Sequence, residues 1–194
     1  MSDLRFKAES VLQNGDSDDW LPESGFCTEM DDTGSSRLVV SAAPSDLRLA
    51  HAALVRALGS RVGVLYRLRV DRLAPEPQGS GAPPRDFVAL DLAPDALMTA
   101  LVDAADLIYG DARCELWLRG TQGEQVILDH DGLMFVYPDS TAFRDALATA
   151  GLPEKEVTTM ADRDYVKHWF HADCDAVESA LFEALNLTEV PRRG

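Results

Sequence analysis

Short alternating strands, a tight Asp-Gly turn and helices with a single apolar face predict an α+β fold. The sheet is expected to be mixed or mainly antiparallel, with helices packed on one face. Period-two alternation in most strands implies a wetter second sheet face, whereas an all-parallel sheet would need longer continuous apolar runs. Two βα-type halves meeting at a Pro/Gly-rich loop are a permitted variant of this arrangement.

Leu4, Phe6 and Ala8 alternate with Arg5, Lys7 and Glu9, which predicts a short opening strand. From Leu12 to Ser36 the chain is rich in Asp, Glu, Ser and Gly and has no sustained apolar period, so it reads as irregular, anchored by Trp20, Leu21 and Phe26. Residues 1–36 are therefore treated as an acidic, partly irregular N-terminal segment, and residues 37–194 as a single α+β domain.

That domain opens with a strand at Leu38-Val39-Val40. Ala43-Pro44-Ser45-Asp46 then signals a helix start, Leu47, Ala50, Leu54 and Leu58 fall at helical spacing, and Gly59 ends the run. Val64, Tyr66 and Leu68 alternate with Arg67 and Arg69 in a second strand. A Pro/Gly-rich loop at about 74–85 follows, too poor in apolar groups to pack.

Phe87 to Leu90 resumes as a strand. A single helix is expected next, with Leu97, Leu101, Ala104 and Ile108 on one face and Asp95, Thr99, Asp103 and Asp106 on the other. Cys114 to Leu118, Glu124 to Leu128 and Leu133 to Tyr137 form an antiparallel meander whose second turn is His130-Asp131-Gly132, Asp-Gly being suited to positive φ. A helix after Pro138-Asp139-Ser140, a strand over roughly Tyr165 to Phe170, and a last helix with a capping-box pattern at Asp175 and Glu178 complete the order.

Composition narrows the function classes. The 194 residues carry 33 acids and 18 Lys or Arg, a net charge of −15, which opposes binding to nucleic-acid phosphates and anionic membranes. Charge is uneven: residues 1–36 hold nine acids and two bases, and residues 37–74 hold two acids and seven bases. The three cysteines, Cys27, Cys114 and Cys174, are odd in number and far apart, as expected of reduced thiols. No apolar run has the length of a signal-peptide core or a membrane span, so a cytoplasmic location is expected.

Three constellations are candidates for function. His168, His171, Asp173 and Cys174 place two imidazoles, a carboxylate and a thiol within seven residues, all of them zinc-ligand types. In a strand His168 and His171 would point to opposite faces, so convergence requires a bend. Trp117, Tyr165 and Trp169 are strand aromatics of the kind enriched at partner interfaces. Asp95, Asp103 and Asp106 present charge to solvent and suit a basic partner. Asp129-His130-Asp131-Gly132 lacks the oxygen ligands of a calcium loop and reads as a hairpin turn. No nucleophile elbow, P-loop or dinucleotide fingerprint is present, and no cofactor is implied.

The expectation is a non-enzymatic, acidic protein-binding module, of the kind that includes immunity and antitoxin-type inhibitors of a basic effector. The alternatives are a metal-binding protein or enzyme built on His168, His171 and Cys174, and a self-assembling structural protein.

Overall fold

The computed structural model describes residues 6–10, 21–70, 83–159, 165–167 and 171–191. Ten strands and five helices lie among them. The strands are β1 (Ala8–Ser10), β2 (Gly25–Met30), β3 (Ser36–Ser41), β4 (Val62–Leu68), β5 (Arg85–Leu92), β6 (Cys114–Arg119), β7 (Gln125–Leu128), β8 (Met134–Tyr137), β9 (Tyr165–Lys167) and β10 (Thr188–Glu189). The helices are α1 (Pro44–Ala57), α2 (Pro94–Asp103), α3 (Ala105–Gly110), α4 (Thr141–Thr149) and α5 (Cys174–Leu185).

Eight strands form one open sheet in the order β10-β5-β4-β6-β7-β8-β3-β2, every neighbouring pair antiparallel, while β1 and β9 pair separately. The α+β expectation holds, and the sheet is antiparallel. Alternation explains its two sides: Val64, Tyr66, Leu116, Leu118, Val126, Leu128, Met134, Val136, Leu38 and Val40 share a core with Leu47, Leu54, Leu97, Leu101, Ile108, Phe143, Leu147 and Leu181 of the helices. The helices thus cover one face. Their side chains interlock with the sheet through Phe182, whose ring lies 5.1 Å edge-on from Tyr66 and 4.6 Å from Phe87.

Several expectations are corrected. Residues 25–30, read as irregular, form the edge strand β2; only Gly25 and Phe26 of it are buried, so it lacks the alternation that betrays a half-buried strand. Its outer edge is met by a parallel bridge from Phe26 to Glu154, with Phe26 N–H donating to the Pro153 carbonyl (3.0 Å) and Lys155 N–H to the Phe26 carbonyl (2.9 Å). The single helix expected over 95–108 is broken at Ala104, where φ −101° and ψ 24° leave the helical region, although all four expected core residues are buried. The opening strand starts at Ala8, and Lys7, expected on a polar face, is 2% exposed.

Asp175 and Glu178 do not make a capping box; Asp173 is the N-cap and makes no side-chain cap bond. Both carboxylates instead take Arg113, whose fully buried guanidinium donates to Asp175 Oδ1 (2.8 Å), Glu178 Oε2 (3.3 Å), Asp111 Oδ2 (2.8 Å) and the His171 carbonyl (2.7 Å). Tyr66 Oη donates to the other Glu178 oxygen at 2.5 Å. Burial alone would lower the Arg113 pKa, but the hydrogen bond and charge of Asp111, with Asp175 and Glu178, outweigh it and raise it. Burial raises the Glu178 pKa, against the Tyr66 and Arg113 bonds. The network clamps α5 and the turn before it to the start of β6.

Removing the cation leaves the buried carboxylates of Asp111 and Glu178 without their countercharge. Arg113→Met is expected to destabilise the fold by about 3–5 kcal/mol, read from the urea midpoint at pH 7.

Candidate functional sites

Of the residues expected to meet a partner, the three acids and Trp117 lie on two sides of the molecule. Asp95, Asp103 and Asp106 are exposed on the helical layer. Trp117 follows the core residue Leu116 in β6 and so points the other way, onto the sheet face without helices.

On the helical side, α1 and α2 border a groove of about 450 Å³ lined by Leu49, Met98 and Val102, with Asp95 and Asp103 on one wall and Arg48 and Arg56 on the other. Leu49 is 63% and Val102 58% exposed, two of the most exposed large apolar side chains among the described residues. Asp95, Thr99 and Asp103 recur at four-residue spacing and so line one stripe of α2. Asp106 lies 3.9 Å from Arg48, whose guanidinium also sits 5.7 Å from the Tyr109 ring centre.

On the sheet face that carries none of the described helices, strand register aligns a row of apolar side chains: Val88, Leu65, Trp117, Ile127, Phe135, Val39 and Cys27 on seven successive strands. Ile127 and Val39 are buried and the others half-buried. Trp117 is held by its neighbours. Its Nε1 donates to Glu115 Oε2 (3.1 Å), and the Arg67 guanidinium, fixed by two bonds to Asp86 (2.9 and 3.1 Å), stands 5.0 Å from its ring centre.

Glu115 is the hub of a polar patch beside this row. Its carboxylate accepts Arg69 Nη1 (2.6 Å) and lies 3.0 Å from His130 Nδ1. Burial would raise the Glu115 pKa, yet the bonds from His130, Arg69 and Trp117 outweigh it and hold it at about 2.

Asp129, His130 and Asp131 bring three ligand-type atoms within 4.8 Å of one another, the grouping of this kind found among the described residues. The turn itself accounts for much of it: Asp129 Oδ1 accepts the N–H groups of Asp131 (2.8 Å) and Leu133 (2.9 Å), and Gly132 adopts φ 87°. Asp131 Oδ1 faces the Lys167 ammonium at 2.6 Å. Burial, then the Asp131 charge, pushes the Asp129 carboxyl above its ordinary range.

The zinc-like cluster is seen in part. His168 lies outside the described residues, as does Trp169. His171 N–H donates to Asp111 Oδ2 (2.7 Å), its carbonyl is engaged by Arg113, Asp173 is exposed and Cys174 is 1% exposed. Tyr165 is half-buried in β9, with the Lys167 ammonium 5.5 Å from its ring centre. Sequence reasoning missed the two exposed apolar residues of the helical groove, Leu49 and Val102; their signal was an apolar side chain on the polar side of each helix. No protein family, curated protein or solved structure matches the chain.

The depressed Glu115 pKa gives a signed pH effect. Its folded value of about 2 lies below the ordinary 4.5, so its contribution is present above pH 4.5 and is lost as pH falls toward 2. Glu115→Gln is expected to cost on the order of 2–3 kcal/mol at pH 7 and progressively less from pH 4.5 downward, measured by urea unfolding at several pH values.

Proposed function

We propose that the protein is a non-enzymatic binding module that docks a basic partner protein in the groove between α1 and α2. The observation that carries this reading is the groove's pairing of exposed Leu49 and Val102 with the Asp95 and Asp103 wall. An apolar floor beside an acidic stripe matches a helix with one apolar and one basic face. Arg48 and Arg56 on the far wall fix orientation, because a partner that presents acids there and bases at α2 fits one way round.

The net charge of −15 supports the same reading at long range, since it draws a cationic protein toward the surface before contact. Within this reading, the finer proposal is an immunity or antitoxin-type inhibitor that masks a basic effector such as a nuclease. Nothing catalytic is required of the groove. Among the described residues, no helix is long and apolar enough to cross a membrane.

The test is capture of partners from the source cells at low salt, with the wild type beside two variants. One basic protein is expected at one-to-one stoichiometry. Asp95→Asn/Asp103→Asn/Asp106→Asn should slow its association several-fold at low salt and match the wild type at high salt, while Leu49→Ser/Val102→Ser should speed its release at least tenfold. Retention unchanged in both variants, or the absence of any basic protein, would overturn the proposal.

A further inference from the structure

On the sheet face that carries Trp117, at the end of the apolar row, the strands open into a second concavity. Its volume is about 460 Å³, within the range of small-molecule pockets, and its lining includes Leu65, Val88, Leu90 and Trp117 with Arg119 and Gly63. Two local features produce it. In β4, Gly63 stands where its neighbours on that face, Leu65 and Arg67, carry long side chains. In β5, the ladder runs from Val62 opposite Leu92 to Val64 opposite Ala89, so Leu90 and Asp91 together oppose Gly63 in a bulge. Asp91 takes φ 61°, and Arg61 secures it by donating from Nη1 to its carbonyl at 3.1 Å.

The bulge leaves Leu90 77% exposed as one wall, and Trp117 forms the other. A Cβ built on Gly63 would stand 3.5 Å from Leu90 Cδ2 and 3.8 Å from the Arg119 carbonyl, in ordinary contact, so the site has room that glycine alone does not require. The missing side chain is what keeps the trough open.

Charge at the cleft identifies the ligand class. Arg61 is paired with Asp91 across 3.6 Å, so these two cancel. Arg119 lines the same cleft and, among the described residues, has no ion-pair or side-chain hydrogen-bond partner in a chain of 33 acids. The Trp117 N–H is already committed to Glu115. The site therefore offers apolar walls and one available cation.

We infer that this cleft binds a small apolar monocarboxylate, its hydrocarbon body between Leu90 and Trp117 and its carboxylate on the Arg119 guanidinium. Charge-assisted hydrogen bonding to guanidinium favours a planar carboxylate. A dianion would meet a second, already neutralised arginine. An anionic membrane would meet the net −15 of the whole molecule. The site is on the opposite face from the α1–α2 groove and does not depend on it.

Decanoate, decanol and decyltrimethylammonium, each below its micelle concentration, should be titrated into the full-length protein by calorimetry, with the Trp117 indole N–H followed by NMR. Saturable one-to-one binding of decanoate is expected, at least tenfold tighter than either neutral or cationic analogue, with a shift of the Trp117 resonance. Arg119→Ala should weaken decanoate about tenfold and leave decanol unchanged. Gly63→Leu should abolish binding of both; because Leu90 is largely exposed, Leu90→Asp provides a second variant whose folding is checked by its melting curve, and it should weaken decanoate at least tenfold. No saturable binding, equal affinity for the three probes, or decanoate binding undiminished in folded Leu90→Asp protein would each overturn the inference. Basic-partner capture by Gly63→Leu protein reports on the groove separately.

Discussion

The Arg113 guanidinium, buried and surrounded by Asp111, Asp175, Glu178 and the His171 carbonyl, is the interaction on which much else in the molecule depends. It joins the first residue before β6 to a helix more than sixty positions later, and Tyr66 adds β4 by way of Glu178. An arginine suits this place better than a lysine, because a planar fork can meet several acceptors at once. Around it the chain gathers an excess of acid over base, which is costly in a dry interior. The hydrogen bond donated by the Tyr66 hydroxyl to Glu178 offsets part of that cost.

A second buried cation does comparable work at the chain's beginning. Lys7 Nζ donates to the carbonyls of Cys114 (2.9 Å) and Asp129 (3.0 Å), tying the residue before β1 to the start of β6 and to the turn between β7 and β8. Nearby, His51 is fully buried with Nδ1 3.0 Å from the Tyr109 hydroxyl; burial, then the Lys7 charge, lowers its pKa to about 4, so it is neutral at physiological pH. The polar interior is thus organised by backbone carbonyls and neutral rings as well as by ion pairs, leaving the outer surfaces free to differ in character.

Those parts of the fold that bury one face were legible from the sequence. Leu47, Ala50 and Leu54 announced α1, and the Asp131-Gly132 pair announced the β7–β8 hairpin. β2 was hidden because an edge strand that buries only Gly25 and Phe26 has no alternation to read. Asp175 and Glu178 were misassigned for a physical reason: carboxylates three apart at a helix start serve equally to cap the helix or to grip a distant cation, and only tertiary structure brings Arg113 to them. For Asp95 and Asp103 nothing local shows that they wall a groove, whereas the alternation of Trp117 with Leu116 and Leu118 does place it on the opposite face of the sheet.

The bulge at Leu90 and Asp91 has a consequence for how the sheet ends. β10 pairs with β5 only at Val88 and Phe87, and Val190 N–H adds one bond to the Asp86 carbonyl (2.8 Å), so among the described residues no strand pairs with the outer edge of β5 from Ala89 to Leu92. A straight strand there would be a template for a strand from another molecule. The extra residue and the left-handed Asp91 bend the margin and break the regular spacing of its donors and acceptors. The same irregularity that hollows the face therefore makes this margin a poor template for an incoming strand.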